Sequence, residues 1–379
     1  MELLVVGCGL TGAVIAREMA EKGKKVLLLE RRDHVGGNMY DFKDEHGYLV
    51  QKYGPHIFHT TEKSLFEYVK KFEEWNEFNL CCGACWDETY TTTPFNFSTI
   101  DKFYPPEKAK RLKEKLQANF EGRKTASVVE VLSHPDGEIR AYAEFLFEND
   151  YAPYTAKQWG VSPKDIDPSV LSRVPLRFSY EEGYFDDPYQ AMPKHSFTTF
   201  FEKLLNHPNI DVKLGIDATE HLTIHQGKIY YDADCLEIPV IYTGPLDELF
   251  GCVYGRLPYR SLRFEWHYSE QDSIQPAPVV AYPKEDAFTR ITEYKKLPVQ
   301  EGRGSTFAVE YPIPYQEGQK MEPYYPVLTN ESQMQYEQYY MLASRVKNLI
   351  PCGRLADFKY YNMDQALKRA LQVCEMIQE

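Results

Sequence analysis

An apolar run from Leu3 to Val6 leads through GCGLTG at 7 to 12 into a stretch of helical composition, and a second apolar run, KKVLLLE, ends at Glu30. A short apolar run closed by glycine reads as a buried parallel strand, and residues 11 to 22 read as a helix with Gly23 as its C-terminal cap. Strand, turn, helix and strand in that order predict a βαβ unit. VIYTGP at 240 to 245 reads as a further strand ending in a glycine turn, and NLIPCGR at 348 to 354 as another, followed by a helix from about Asp364 to Ile377. Between these segments the period changes. KAKRLKEKLQANF at 108 to 120 and EIRAYAEFLFENDY at 138 to 151 carry amphipathic helical spacing, whereas SLRFEWHY and STFAVEY, within 251 to 334, are short β-rich runs set between Pro, Gly and charged turns. The pattern predicts an α/β chain with a discontinuous Rossmann-like domain over 1–78, 195–250 and 335–379. A helical insertion over 99–180 and an antiparallel β-sheet domain over 79–98, 181–194 and 251–334 complete it, with the active cleft where the three meet.

Composition narrows the function. The 379 residues are enough for two or three such units. A formal net charge of −13 argues against nucleic acid or an anionic membrane as partner, so an anionic ligand must meet clustered arginines. No run of about 18 apolar residues occurs and the first residues enter a strand directly, so neither membrane insertion nor a signal peptide is expected and the cytoplasm is the default. Cys81, Cys82 and Cys85 have half the spacing of a zinc site but no partner pair, which predicts free thiols and no metal. The 29 Tyr and 21 Phe suit recognition of sugars and bases as well as ordinary packing.

The first forty residues point to a dinucleotide. In Gly-x-Gly-x-x-Gly, Gly7 permits the tight bend, Gly9 lets backbone approach a pyrophosphate, and Gly12 allows the helix to pack on the sheet, with Leu10 and Thr11 at the helix N-terminus beside the phosphates. Glu30 stands where a ribose hydroxyl needs an acceptor. The following ERRDHVGGN, with Arg31, Gly37 and Asn38, resembles the extended fingerprint of FAD enzymes, and the late strand, glycine and helix at 348 to 377 favour FAD over nicotinamide.

A longer set of motifs follows in order: GPHIFHT (54–60), PFN (94–96), YTAKQWG (154–160), RVPLRF (173–178), GYF (183–185), YRSLRFE (259–265), TRITE (289–293), EPYYPV (322–327) and GRLADFKYYNMDQA (353–366). Together they resemble the prokaryotic UDP-galactopyranose mutases across nearly the whole chain. The resemblance implies reduced FAD acting as a nucleophile. Its N5 attacks the anomeric carbon, UDP departs, and the sugar opens as a flavin iminium, recloses through another hydroxyl and regains UDP. It further implies a nucleotide-sugar substrate, an external reductant, a homodimer, and furanose donors for cell-surface glycans. Arg173 and Arg290 match the diphosphate-binding arginines, with Tyr184, Tyr311 and Tyr360 contacting the same group through their hydroxyls. Tyr154, Thr155 and Trp159 match a mobile lid on which Tyr154 stacks on uracil, while Asn96 and Asn362 fall at the substrate. His56, Ile57 and His59 match the flavin face, His59 with a part in catalysis, and Gly353, Arg354 and Met363 match positions at the cofactor.

The chain also departs from that pattern. Lys194, His195 and Ser196 in PKHSF replace a glycine-rich stretch, Asn362 replaces an aspartate, Pro188 stands where arginine is common, and Pro55 precedes His56 in place of alanine. The expectation is a reshaped sugar end of the pocket. UDP-galactose is accordingly weighed against UDP-GalNAc, UDP-arabinopyranose or a 6-deoxyhexose, against a flavin oxidoreductase, and against a non-catalytic FAD-binding relative.

Overall fold

The computed structural model describes residues 1–160, 171, 174–316 and 321–377; Arg173 and the side chain of Trp159 lie outside the described set. Among the described residues, five parallel strands form one sheet in the order Ile210–Leu214, Val26–Glu30, Leu3–Val6, Val240–Tyr242 and Leu349–Pro351. Period-two alternation sends Leu3 and Val5 to one face and Leu4 and Val6 to the other, and each face has its own core. Leu10–Glu21, Phe197–Leu205 and Met363–Met376 cover the first face. Asn330–Ser344 packs on the second through Tyr339 and Ala343. The small residues Ala13, Ala16 and Ala20 bring the first helix close to the sheet. Full burial of each Val, Leu or Ile in these layers stabilises by about 1.5–3 kcal/mol before chain entropy is subtracted. The helix read as 11 to 22 runs Leu10–Glu21, with Gly23 at φ +85 just beyond it.

The helical module comprises Phe97–Phe103, Pro106–Asn119, Val128–Leu132, Gly137–Leu146 and Ala152–Trp159 around a core that includes Trp86, Phe95, Tyr142 and Tyr151. The stretch 138 to 151, read as one amphipathic helix, instead passes into a π-helical turn at Phe147–Tyr151. The cause is local: Pro153 has no N–H to donate to the carbonyl four residues back, so the regular ladder is broken there.

A seven-stranded sheet runs Tyr325–Pro326, Tyr259–Ser269, Ser305–Pro314, Arg290–Glu293, Val279–Ala281, Cys82–Trp86 and Thr89–Thr93, antiparallel except between Val279–Ala281 and Cys82–Trp86. Tyr189–Pro193 belongs to a separate three-stranded sheet with Phe58–Thr60 and Trp75–Glu77. In the large sheet Arg290 stands opposite Glu310, Arg260 opposite Tyr325, and Arg263 opposite Tyr311. Opposed residues share a face and neighbours along a strand do not. Arg260, Tyr325, Arg290 and Glu310 therefore share one face, and Arg263 and Tyr311 the other. The eight cysteines are free, and among the described residues no helix is long and apolar enough to cross a membrane.

Candidate functional site

A cleft opens at the C-terminal ends of the parallel strands, where such sheets bind ligands. Gly7, Gly9, Leu10, Thr11, Gly12, Glu30, Arg31, Gly37, Asn38, His56, Arg354, Asn362 and Met363 all line it. A Cβ on Gly7 would lie 2.0 Å from Thr243 Oγ1, and one on Gly12 2.0 Å from the carbonyl oxygen of Gly7. Only hydrogen fits in either place. No side chain caps the N-terminus of Leu10–Glu21, so its first N–H groups and positive dipole end face the cleft. This is a cradle for a pyrophosphate. The Glu30 carboxylate accepts from Cys8 N at 2.7 Å and Arg32 N at 3.0 Å and retains lone pairs toward the cleft. Glu322 pairs with Arg31 at 2.6 Å and with Arg32 at 2.9 Å, and Glu248, on the cleft wall, lies 3.6 Å from Arg31. Ile57 points into the core at 6% exposure, and Gly353, at φ +105, shapes the backbone turn before Arg354.

His56 connects this cleft to the face of the large sheet. Its N–H donates to Gln51 Oε1 at 2.5 Å and its Nδ1 contacts the Gly54 carbonyl at 2.8 Å. Burial holds the imidazole down at about 4, and the nearby guanidiniums of Arg354 and Arg290 push the same way. His56 is thus neutral at neutral pH. Arg290 donates through Nε and Nη2 to Glu310 Oε2, at 2.8 and 2.7 Å. Burial opposes the Arg290 charge, and Glu310, whose side chain is 1% exposed, more than restores it, so the arginine is raised well above its usual range. The remaining N–H groups of the fork are not used by Glu310.

Aromatic groups surround this cation. Tyr154, on Ala152–Trp159, is raised by burial and lies in the field of Arg290. Tyr325 stacks on Tyr360 with centroids 5.7 Å apart, and Arg354 lies 5.3 Å over the Tyr360 ring. Gln158 Nε2 donates to the Tyr325 hydroxyl at 3.0 Å while its Oε1 stays buried and unpaired. Tyr184 stands edge-on to Phe185 at 4.9 Å and within the field of Tyr154. Thr155 is buried at 7% exposure.

Other residues singled out in the sequence lie elsewhere. Tyr311 is on the opposite face of the sheet from Arg290, its hydroxyl donating to Glu265 at 2.8 Å. Tyr325, on the Arg290 face, was part of the EPYYPV motif but carried no role; the register that would have selected it is not visible in one sequence. Asn96 caps Phe97–Phe103, accepting from Ser98 N at 2.8 Å and donating to the Glu181 carbonyl at 2.9 Å. His59 binds Asp187 at 2.7 Å and stacks on Phe185 at 3.7 Å, and is not among the residues lining the cleft. The expected reshaping by PKHSF does not occur in the described cleft. Lys194 pairs with Glu74 at 2.6 Å, His195 with Glu73 at 3.0 Å, and Ser196 caps the helix Phe197–Leu205. Buried Glu73 and exposed Glu74 thus hold His195 and Lys194 in surface ion pairs.

A family model described as UDP-galactopyranose mutase matches residues 149–360, and one described as NAD(P)-binding Rossmann-like domain matches 5–72. A UDP-galactopyranose mutase of Mycoplasma pneumoniae is 35% identical, with 99% of this chain and 96% of the relative covered. A dTDP-fucopyranose mutase of Escherichia coli is 33% identical, with 99% and 98% covered. The solved structure titled reduced UDP-galactopyranose mutase superposes with a TM-score of 0.72 at 16% identity, covering 100% of this chain and 93% of that one.

Proposed function

The chain belongs to the UDP-galactopyranose mutase family, and from that membership we propose that it interconverts UDP-galactopyranose and UDP-galactofuranose with the help of reduced FAD. The observation that carries the reading is the Arg290–Glu310 pair set among Tyr154, Tyr325 and Tyr360, directly beside the glycine-cradled cleft.

The residues fit FAD. Gly7, Gly9 and Gly12 leave room that would take the pyrophosphate against the uncapped helix, Glu30 would offer an acceptor to a ribose, and His56, Arg354 and Met363, on the same cleft wall, would hold the flavin. When bound and reduced, FAD supplies the electron pair that holds the anomeric carbon while the nucleotide is detached. The protein's own part is charge and position. Arg290, together with Arg173 by motif, would take the diphosphate through forked, charge-assisted bonds while Glu310 fixes the guanidinium plane. Tyr154 would support the base, and the phenols of Tyr184, Tyr325 and Tyr360 would direct hydrogen bonds to phosphate oxygens. Neutral His56 adds no charge at the cofactor. The reading includes a cytoplasmic homodimer, an external reductant, and furanose products that feed cell-surface glycans.

A related sugar is the second reading, favoured by the likeness to a dTDP-fucopyranose mutase and by Asn362 on the cleft wall. Dithionite-reduced protein given UDP-galactopyranose and dTDP-fucopyranose separately, with pyranose and furanose products resolved by chromatography, tests both. Turnover of the first alone is expected; turnover of the second alone replaces the galactose assignment.

A further inference from the structure

Gln51 ends the strand Leu49–Gln51 and is 1% exposed, so its carboxamide must find partners inside the protein. It finds both on one residue. Oε1 accepts from the His56 N–H at 2.5 Å and Nε2 donates to the His56 carbonyl at 3.1 Å, so a side chain makes the pair of bonds that a facing antiparallel strand would make. Residues 52 to 55 close between them as a turn that Gly54 permits at φ +93. The clamp is itself tethered: the hydroxyl of fully buried Tyr294, the residue after the strand Arg290–Glu293, donates to the Gln51 carbonyl at 2.9 Å. A Cβ on Gly54 would lie 3.6 Å from Glu310 Oε2, so the turn rests on the carboxylate that holds Arg290.

This arrangement decides what His56 offers to the cleft it lines. The Gly54 carbonyl can only accept, so the Nδ1 at 2.8 Å from it carries the proton. The imidazole is neutral at neutral pH, which leaves Nε2 with a lone pair and, among the described residues, no partner.

We propose that Gln51 is a positioning residue, clamping both backbone groups of His56 so that its imidazole presents Nε2 as a hydrogen-bond acceptor to an N–H of the bound flavin. The flavin as donor rests on the mutase reading; the clamp and the tautomer do not. Without the carboxamide the His56 peptide is free to turn, and the ring loses the fixed relation to the Gly54 carbonyl that selects the tautomer.

The test compares wild type, Gln51→Ala and the isosteric Gln51→Glu as reduced, FAD-loaded protein carrying isotopically labelled histidine, read by nitrogen NMR, with the His56 signals identified by their absence in His56→Asn. At pH 7 wild type should show one His56 tautomer, protonated at Nδ1, and Gln51→Ala a mixture of the two. Gln51→Glu keeps an acceptor for the His56 N–H but sets a carboxylate against the His56 carbonyl, and should show the mixture as well. With UDP-galactopyranose both variants should lose about tenfold to hundredfold in kcat, on the order of one or two lost buried hydrogen bonds, while KM changes by less than about twofold. In the His56→Asn background the same substitutions should cost less than about twofold, because Gln51 acts through His56. A single Nδ1–H tautomer in both variants, or an equal loss of kcat with and without His56, overturns the proposal while leaving the mutase reading standing. If wild type forms no furanose, the mutase reading falls and the tautomer comparison alone decides the clamp.

Discussion

One pair of variants separates the Arg290–Glu310 ion pair from the diphosphate contact proposed for Arg290. Glu310 is 1% exposed and takes both Nε and Nη2 of Arg290 on one oxygen. Replacing Arg290 by Met takes both guanidinium bonds from a buried carboxylate that also accepts from the Thr289 hydroxyl at 3.4 Å. Breaking a buried pair in this way costs about 3–5 kcal/mol. The double variant Arg290→Met/Glu310→Leu removes both charges and should recover stability to within about 1 kcal/mol of wild type, since apolar replacements of buried pairs are often neutral. Substrate binding should not recover. One charge-assisted contact to the diphosphate is worth about 1.5–3 kcal/mol, so both variants should bind UDP about tenfold to 150-fold more weakly. Chemical denaturation followed by circular dichroism gives the first quantity, and titration calorimetry the second. A double variant that binds UDP like wild type would refute the assignment of Arg290 to the diphosphate. A single variant as stable as the double would refute the uncompensated-carboxylate argument.

Three further outcomes follow from the geometry. Gly12→Ala places a methyl 2.0 Å from the Gly7 carbonyl and should purify with little flavin, read from visible absorbance against protein; full flavin content would contradict the cradle. His56 has a folded-state value of about 4 against an ordinary 6.5, so the folded state binds fewer protons than the unfolded one. Its contribution to stability is complete above about 6.5 and is lost as pH falls from there toward about 4. Denaturation at pH 7 and pH 4.5 should show a smaller acid loss for His56→Asn than for wild type. Lys194→Gly should change kcat/KM by less than about twofold, because a surface ion pair such as Lys194–Glu74 contributes roughly 0–1 kcal/mol.

Local chemistry was legible in the sequence and register was not. Residues 3 to 30 announce strand, glycine turn, helix and strand because each step depends on near neighbours: the steric need at Gly7, the helix entry at Leu10, the acid ending the second strand. The late segments 240–245 and 348–377 were legible for the same reason. Which face of a long antiparallel strand meets the site depends on pairing across the sheet. One residue of offset decides whether Tyr311 or Tyr325 stands with Arg290, and the sequence around each is tyrosine-rich. Asn96 in PFN signals a helix N-cap as strongly as a ligand contact; the cap takes its amide oxygen and the Glu181 carbonyl its amide nitrogen. The departures at Lys194 and His195 read as pocket changes only until their partners are seen, exposed Glu74 for the first and buried Glu73 for the second. The π-turn at Phe147–Tyr151 had a sequence signal in Pro153, four residues after Asn149, within otherwise continuous helical spacing.

The most direct measurement is the conversion itself. Dithionite-reduced, FAD-loaded protein is incubated with UDP-galactopyranose, and furanose product is quantified against the same protein kept oxidised. The account predicts furanose formation by the reduced protein to a constant pyranose-to-furanose ratio reached from either direction, with no stoichiometric consumption of reductant and little turnover by the oxidised protein. Equal rates in both redox states, or no furanose product from any pyrimidine-nucleotide sugar, would contradict it.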